Sequence, residues 1–199
     1  MANTILVAYA TQSGSTVEVA ERISQTLGAN GASVEVKPIS AVSSLDQYDA
    51  VVLGAPMILG WHRGATQWLV DHQTALTQKP TAIFMTCLEL TRTDSDQVAG
   101  VAIFKDAQLG HAPKNAAKLN FKEKQTTPDR YVAPVLEQAA LVKPVSVGIF
   151  GGKLDYSTLG LLSKLFVRLI IRGKAGDYRN WDAITAWADD VREQFAALS

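Results

Sequence analysis

Two hydrophobic periods alternate along the first half of the chain. Thr4 to Tyr9 is an unbroken apolar run, the pattern of a central strand buried on both faces. After a polar loop, Thr16, Ala20, Ile23 and Leu27 recur at helical spacing and share one face. Gly31 marks the stop of that helix. Ser33 to Lys37 alternates, with Val34 and Val36 on one side, and Pro38 ends the strand. Ala50 to Gly54 is another buried-strand run, and Ala65, Trp68, Leu69, His72 and Leu76 line a second helix. Thr81 to Thr86 and Val145 to Phe150 read as strands four and five. The last helix starts at an Asn180 cap, with Ile184, Trp187, Val191, Phe195 and Leu198 along its inner stripe. Strands alternating with helices predict an α/β fold around a parallel sheet.

Residues 89–143 break this rhythm. No strand pattern shows there; Val135 to Leu141 looks helical and Ala116 to Leu119 weakly so. The segment is long for a connection and suits a lid, an interface arm or an excursion from the sheet. One domain over residues 1–199 is expected.

Composition removes several function classes. Apolar residues are 47% and charged residues 19% of the chain, as in ordinary globular proteins. Lys plus Arg and Asp plus Glu are both 19, so no overall basic field draws nucleic acid. One cysteine, Cys87, excludes an internal disulfide framework, and three scattered His offer no metal-ligand spacing. The N-terminus has no signal-peptide pattern. The longest apolar stretch, Leu159 to Ile171, is interrupted by Lys164 and Arg168 and is too short to span a bilayer. The expectation is a cytoplasmic protein.

The strongest chemical signal is the loop Thr11, Gln12, Ser13, Gly14, Ser15, Thr16, directly after the first strand and opening the first helix. Backbone N–H groups at a helix N-terminus, with the helix dipole behind them, favour an anion. Four hydroxyls add donors, and Gly14 permits close approach of the backbone. Without a Lys the loop is no nucleoside-triphosphate loop, and it lacks the glycine pattern of a dinucleotide fold. Neutral hydroxyls and amides suit one terminal phosphate monoester; an ordinary Ser/Thr helix cap is the plainer alternative.

In this loop and the order of its elements the sequence resembles the flavodoxin family. The resemblance implies a three-layer sandwich around a five-stranded parallel sheet of order 2-1-3-4-5, binding FMN at the carboxyl ends of the strands. It further implies that two loops cover the isoalloxazine ring. One contains Ala55, Pro56, Met57, Ile58, Gly60 and Trp61; the other contains Thr86, Cys87, Leu88, Glu89 and Leu90. The segments Asp49 to Ala55, Gly60 to His62, Gly148 to Tyr156 and Gly176 to Asp182 look like the menaquinone-dependent protoporphyrinogen oxidase branch, in which an extra helical insertion follows strand five. That branch implies an FMN-dependent oxidoreductase of heme biosynthesis, passing electrons from a small-molecule substrate, protoporphyrinogen IX, to a quinone. The alternatives are a flavodoxin-type electron-transfer protein and an NAD(P)H:quinone reductase.

Charge is unevenly spread. Residues 153–174 hold Lys153, Lys164, Arg168, Arg172 and Lys174 against Asp155, a net of +4, which leaves −4 elsewhere. Lys164, Arg168 and Arg172 share one helix face opposite Leu162, Leu165, Phe166, Leu169 and Ile170. Such a helix, over 159–174, suits peripheral contact with the inner face of a membrane, or a core helix with a solvated basic side. Trp61 suits either stacking on a flavin or anchoring its loop. Glu89 suits the pyrimidine edge or solvent. His62 and Arg63 are candidates to meet a substrate, while Cys87 and His72 read as core residues. No catalytic residue can be assigned.

Overall fold

A computed structural model describes residues 4–58, 60–115, 117–154 and 175–198. Strand β1 (Thr4–Tyr9) lies between β2 (Ser33–Pro38) and β3 (Ala50–Pro56), parallel to both. Next come β4 (Thr81–Cys87) and the strand Ser146–Gly151, again parallel. These are the five strands expected, in the expected order.

The sheet does not end there. Between β4 and Ser146–Gly151 the chain forms β5 (Leu90–Thr91), β6 (Gln97–Val98), β7 (Val101–Lys105) and β8 (Gly110–His111), so Ser146–Gly151 is β9. Strand β7 runs parallel to β9, with Ala102 opposite Ser146, and β6 pairs antiparallel to β7. The sheet therefore has seven strands, ordered β2-β1-β3-β4-β9-β7-β6. This corrects the five-strand expectation and the reading of 89–143 as free of strands. Val101 and Ile103 are buried while Ala102 is exposed, the period-2 pattern of a strand with one face toward solvent. The turn joining β6 to β7 has Ala99 at φ 50° and Gly100 at φ 80°. Two positive φ values in a two-residue loop give the type I′ geometry that suits the strand twist.

Two helices punctuate the rest of the excursion. Helix α3 (Phe121–Gln125) has a capping box: the Asn120 side chain accepts from the Glu123 N–H, and Glu123 accepts from the Asn120 N–H. Residues 117 and 118 form a turn and a bend and 119 is irregular, not the weak helix expected there. Helix α4 (Pro128–Gln138) begins well before Val135 and ends before Ala139, so the helix expected over Val135 to Leu141 is shifted towards the N-terminus. Thr127 caps it and Pro128 occupies the first turn, where a missing N–H costs nothing.

Alternation along the strands sends side chains into two cores. Leu6, Ala8, Leu53, Ile83 and Met85 meet α2 (Arg63–Leu76) and α4 through Leu69, Leu76, Val132 and Val135. Ile5, Val7, Val52 and Phe84 meet α1 (Ser15–Leu27) and α5 (Trp181–Ala197) through Val19, Ile23, Ile184, Trp187 and Val191. Each such buried aliphatic side chain contributes about 1.5–3 kcal/mol. Trp187 meets Phe150 edge-on at 5.6 Å, and its indole N–H donates to Ser146 Oγ at 2.9 Å. Asn180 caps α5 as expected, accepting from the Ala183 N–H. Leu198 lies past the end of α5 and is exposed, so it is not on the inner stripe.

Short strands β10 (Lys153–Leu154) and β11 (Gly176–Asp177) pair antiparallel at the exit of β9. The apolar-basic helix expected over 159–174 lies outside the described residues.

Candidate functional site

Three loops leave neighbouring strands at the carboxyl end of the sheet, and backbone hydrogen bonds tie their exits together. The Ala10 N–H donates to Gly54 O at 2.9 Å, Met57 N–H to Thr86 O at 2.8 Å, and Gly152 N–H to Cys87 O at 2.8 Å. Sequence-distant segments are thus held in one register where a ligand meets a parallel sheet.

The loop after β1 is shaped for an anion. Gly14 is the N-cap of α1 in the left-handed region, φ 87° and ψ −22°, and no side chain caps the helix. The Gly14 N–H donates to Thr11 Oγ1 at 2.9 Å, which folds the loop back on itself. A Cβ at Gly14 would meet no atom within 4 Å, so the position needs glycine for its φ, not for space. Gln12, Ser13 and Gly14 are exposed, Thr11 and Ser15 half-buried. Thr16 is buried, and its Oγ1 has no hydrogen-bond partner among the described residues. A buried hydroxyl left unpaired is costly, and an anion at the free N-terminus is the chemistry that would satisfy it. The donor set fits a phosphate monoester.

The loop after β3 is braced from inside. Ala55, Met57 and Trp61 are buried, Pro56 is half-buried, and Ile58 and Gly60 are exposed. Met57 and Trp61 form an antiparallel bridge, and the Ile58 N–H donates to Gly60 O at 2.9 Å. The Trp61 indole N–H donates to Ala55 O at 3.2 Å. That bond anchors the loop to the end of β3.

After β4, Thr86, Cys87 and Leu90 are buried, while Leu88 and Glu89 are half-buried. Burial pushes the Cys87 thiol up to about 12. The Tyr131 hydroxyl donates to Glu89 O at 2.8 Å, so α4 fastens this loop; burial also raises the Tyr131 phenol. Glu89 pairs with Lys122 at 2.7 Å and lies 3.8 Å from His111. It therefore joins the excursion to the loop. His72 stacks on Trp68 and is bonded to Trp68 O, a helix-face residue as expected. His62 occupies the N-cap position of α2 without a side-chain capping bond, and Arg63 is exposed beside it.

Sequence reasoning missed two groups at this end. Asp106, after β7, is buried; its Oδ1 accepts from the Gln108 N–H and from Asn180 Nδ2, joining the excursion to the cap of α5. Arg179 reaches α1: Nη1 lies 3.0 Å from Glu18 Oε2, and Nε donates to Asp177 Oδ1 at 2.7 Å. No spacing rule links position 179 to position 18. The one available signal was the run Asp177, Arg179, Trp181, which places an acid and an aromatic around one Arg.

Comparisons with known proteins agree with this geometry. A family model described as a flavodoxin domain matches residues 6–180. A search of curated proteins gave no match. Among solved structures, an archaeal flavodoxin is similar at TM-score 0.51 and 12% identity, covering 97% of this chain and 99% of the other. Oxidised flavodoxin 2 from Bacillus cereus is similar at TM-score 0.51 and 16% identity, covering 96% and 99%. Two-electron reduced Megasphaera elsdenii flavodoxin is similar at TM-score 0.52 and 10% identity, covering 95% and 98%. At these identities the likeness is one of fold, and nothing in it selects the protoporphyrinogen oxidase branch. The family match spans most of the described sheet and helices and indicates FMN as the cofactor: the chain belongs to the flavodoxin family.

Proposed function

We propose that this protein is an FMN-dependent redox protein that carries electrons in the manner of a flavodoxin. The observation that supports it is the cradle at the start of α1: a left-handed glycine cap, an uncapped helix N-terminus and a buried, unpaired Thr16 hydroxyl. Thr11, Gln12, Ser13, Gly14, Ser15 and Thr16 would hold the phosphate through backbone N–H and hydroxyl donors. Residues 55–61 and 86–90 would flank the ring. Bound FMN supplies the redox chemistry. The chain's part is to orient and shield it: Trp61 and Tyr131 lock the two flanking loops from below, and Ile58 and Leu88 offer apolar surface that limits water.

A second reading rests on charge. Electron-shuttle flavodoxins are typically acidic, which helps them dock on basic partners, whereas this chain has zero net charge. That favours an oxidoreductase with its own substrate, a reduced organic molecule such as protoporphyrinogen IX, and a quinone acceptor. One experiment separates the readings. Apoprotein is loaded with FMN, and the flavin spectrum is followed anaerobically after adding a reduced redox-protein donor, protoporphyrinogen and NADPH, each separately, and then a menaquinone analogue. Bleaching by a redox-protein donor alone supports the carrier. Bleaching by protoporphyrinogen with recovery on quinone supports the oxidase, and bleaching by NADPH supports a quinone reductase. Failure to bind FMN removes all three.

A further inference from the structure

The guanidinium of Arg179 is one of the most enclosed charges among the described residues, with only 3% of its side chain exposed. It lies beside the first turn of α1, the helix that carries the phosphate loop. Asp177 grips its Nε and Nη2 as a fork, and the Asp177 carboxyl is held below its ordinary range by that pairing. The remaining edge faces α1: Nη1 meets Glu18 Oε2 at 3.0 Å and Ser15 O at 3.4 Å. The indole of Trp181 covers one face, 4.6 Å from ring centroid to the guanidinium carbon. Burying a cation is costly unless it is paired and bonded; here Asp177 compensates one edge, and the other, through Nη1, bonds the turn that follows Gly14.

Glu18 needs such a partner. An acid in the first turn stabilises a helix by itself, but it repels a dianion brought to the same N-terminus. We propose that Arg179 is a positioning residue for the phosphate loop: by compensating Glu18 and holding the Ser15 carbonyl, it keeps the N-terminus of α1 electropositive and makes the site select a phosphorylated flavin over the unphosphorylated one. The inference rests on the FMN reading above. The buried, unpaired Thr16 hydroxyl in the same turn is the independent sign that an anion completes this end of the helix. Because Asp177 lies in β11, the contact also joins the phosphate loop to the stem from which residues 155–174 depart.

The test is fluorescence titration of the full chain with FMN and, separately, with riboflavin. Arg179→Met is expected to weaken FMN about tenfold, from one lost unit of charge near a dianion, and to leave riboflavin within twofold. Arg179→Lys keeps the charge and should retain most of the FMN affinity. Glu18→Gln in the Arg179→Met background should recover most of the loss. Glu18→Gln alone, at an exposed position that folding tolerates, should tighten FMN a fewfold with riboflavin unchanged. Equal losses for the two flavins, or no recovery by Glu18→Gln, would overturn the charge role and leave Arg179 as a packing residue. Indifference of FMN affinity to both Arg179→Met and Glu18→Gln would overturn it as well. A wild-type chain that binds riboflavin as tightly as FMN would refute this inference alone, while one that binds no flavin would remove the functional reading with it.

Discussion

At the scale of single residues, the same buried atom carries opposite consequences for the free and loaded protein. The Thr16 hydroxyl is sealed from solvent without a partner, which costs about 1–3 kcal/mol in such a setting. Thr16→Val keeps the shape and removes the oxygen. The apoprotein should therefore melt higher, by about 1 kcal/mol of stability, while FMN binds more weakly by about tenfold. Differential scanning calorimetry and flavin titration of one preparation check both signs; a variant that loses both quantities would show the hydroxyl to be structural. Cys87 offers a second test. Its folded pKa is raised by burial from the ordinary 9.0 to about 12. The folded state thus keeps its proton where the unfolded thiol loses it. The contribution to stability is full below pH 9.0 and declines as pH rises toward 12. Native protein should resist iodoacetamide at pH 8 and react only after unfolding, as read by mass spectrometry. Cys87→Ala should flatten the loss of stability on the alkaline side.

At the scale of elements, the edge hairpin depends on two left-handed residues, Ala99 and Gly100. Gly100→Ala should cost about 1–2 kcal/mol, while Ala99→Asn, in a conformation Asn tolerates, should raise the urea midpoint. If both variants unfold at the wild-type midpoint, β6 and β7 contribute nothing to the cooperative fold. These strands also mark where the sequence stopped being legible. Strands β1, β3, β4 and β9 could be read because both faces are buried and the apolar run is unbroken. Strand β7 is half-buried, and its turn has Ala where Asn or Gly would have announced a hairpin. The same contrast holds in the site. The loop from Thr11 to Thr16 is local, so its residues could be read together as one helix start. The Arg179–Glu18 and Asp106–Asn180 contacts join segments far apart in the chain, and only the folded sheet brings them together. Trp61 was ambiguous because an indole suits a ligand face and a loop anchor equally well; its bond to Ala55 O, which no spacing rule reveals, supplies the anchor.

At the scale of the whole molecule, neutrality is a sum of unlike parts. Residues 153–174 carry five basic residues and one acid, and the rest of the chain holds the compensating −4. Among the described residues no helix is long and apolar enough to cross a membrane. The sequence of 159–174 has the ingredients of surface attachment: three basic residues at helical spacing and a broad apolar set opposite them. Each Lys or Arg near an anionic surface is worth about 1 kcal/mol, and the attraction fades within a Debye length. One signal alone gives marginal attachment, and apolar insertion with basic attraction together make it stable. The expected result is therefore specific. In sedimentation with vesicles, the full chain should pellet with anionic lipid at low salt and be released as salt is raised. Replacing Lys164, Arg168 and Arg172 by Gln should abolish pelleting while FMN binding stays unchanged, because the phosphate loop lies in a different segment. Pelleting that ignores lipid charge and salt would show that the apolar set alone drives attachment, and no pelleting under any condition would leave the basic stripe as a solvated face. A chain attached in this way would meet a lipid-soluble acceptor at the bilayer, and so the vesicle experiment also weighs a quinone acceptor against a soluble partner. Repeating the anaerobic reoxidation with the quinone held in those vesicles tests that link: the Gln variant should slow reoxidation by vesicle-bound quinone and leave reoxidation by a water-soluble analogue intact.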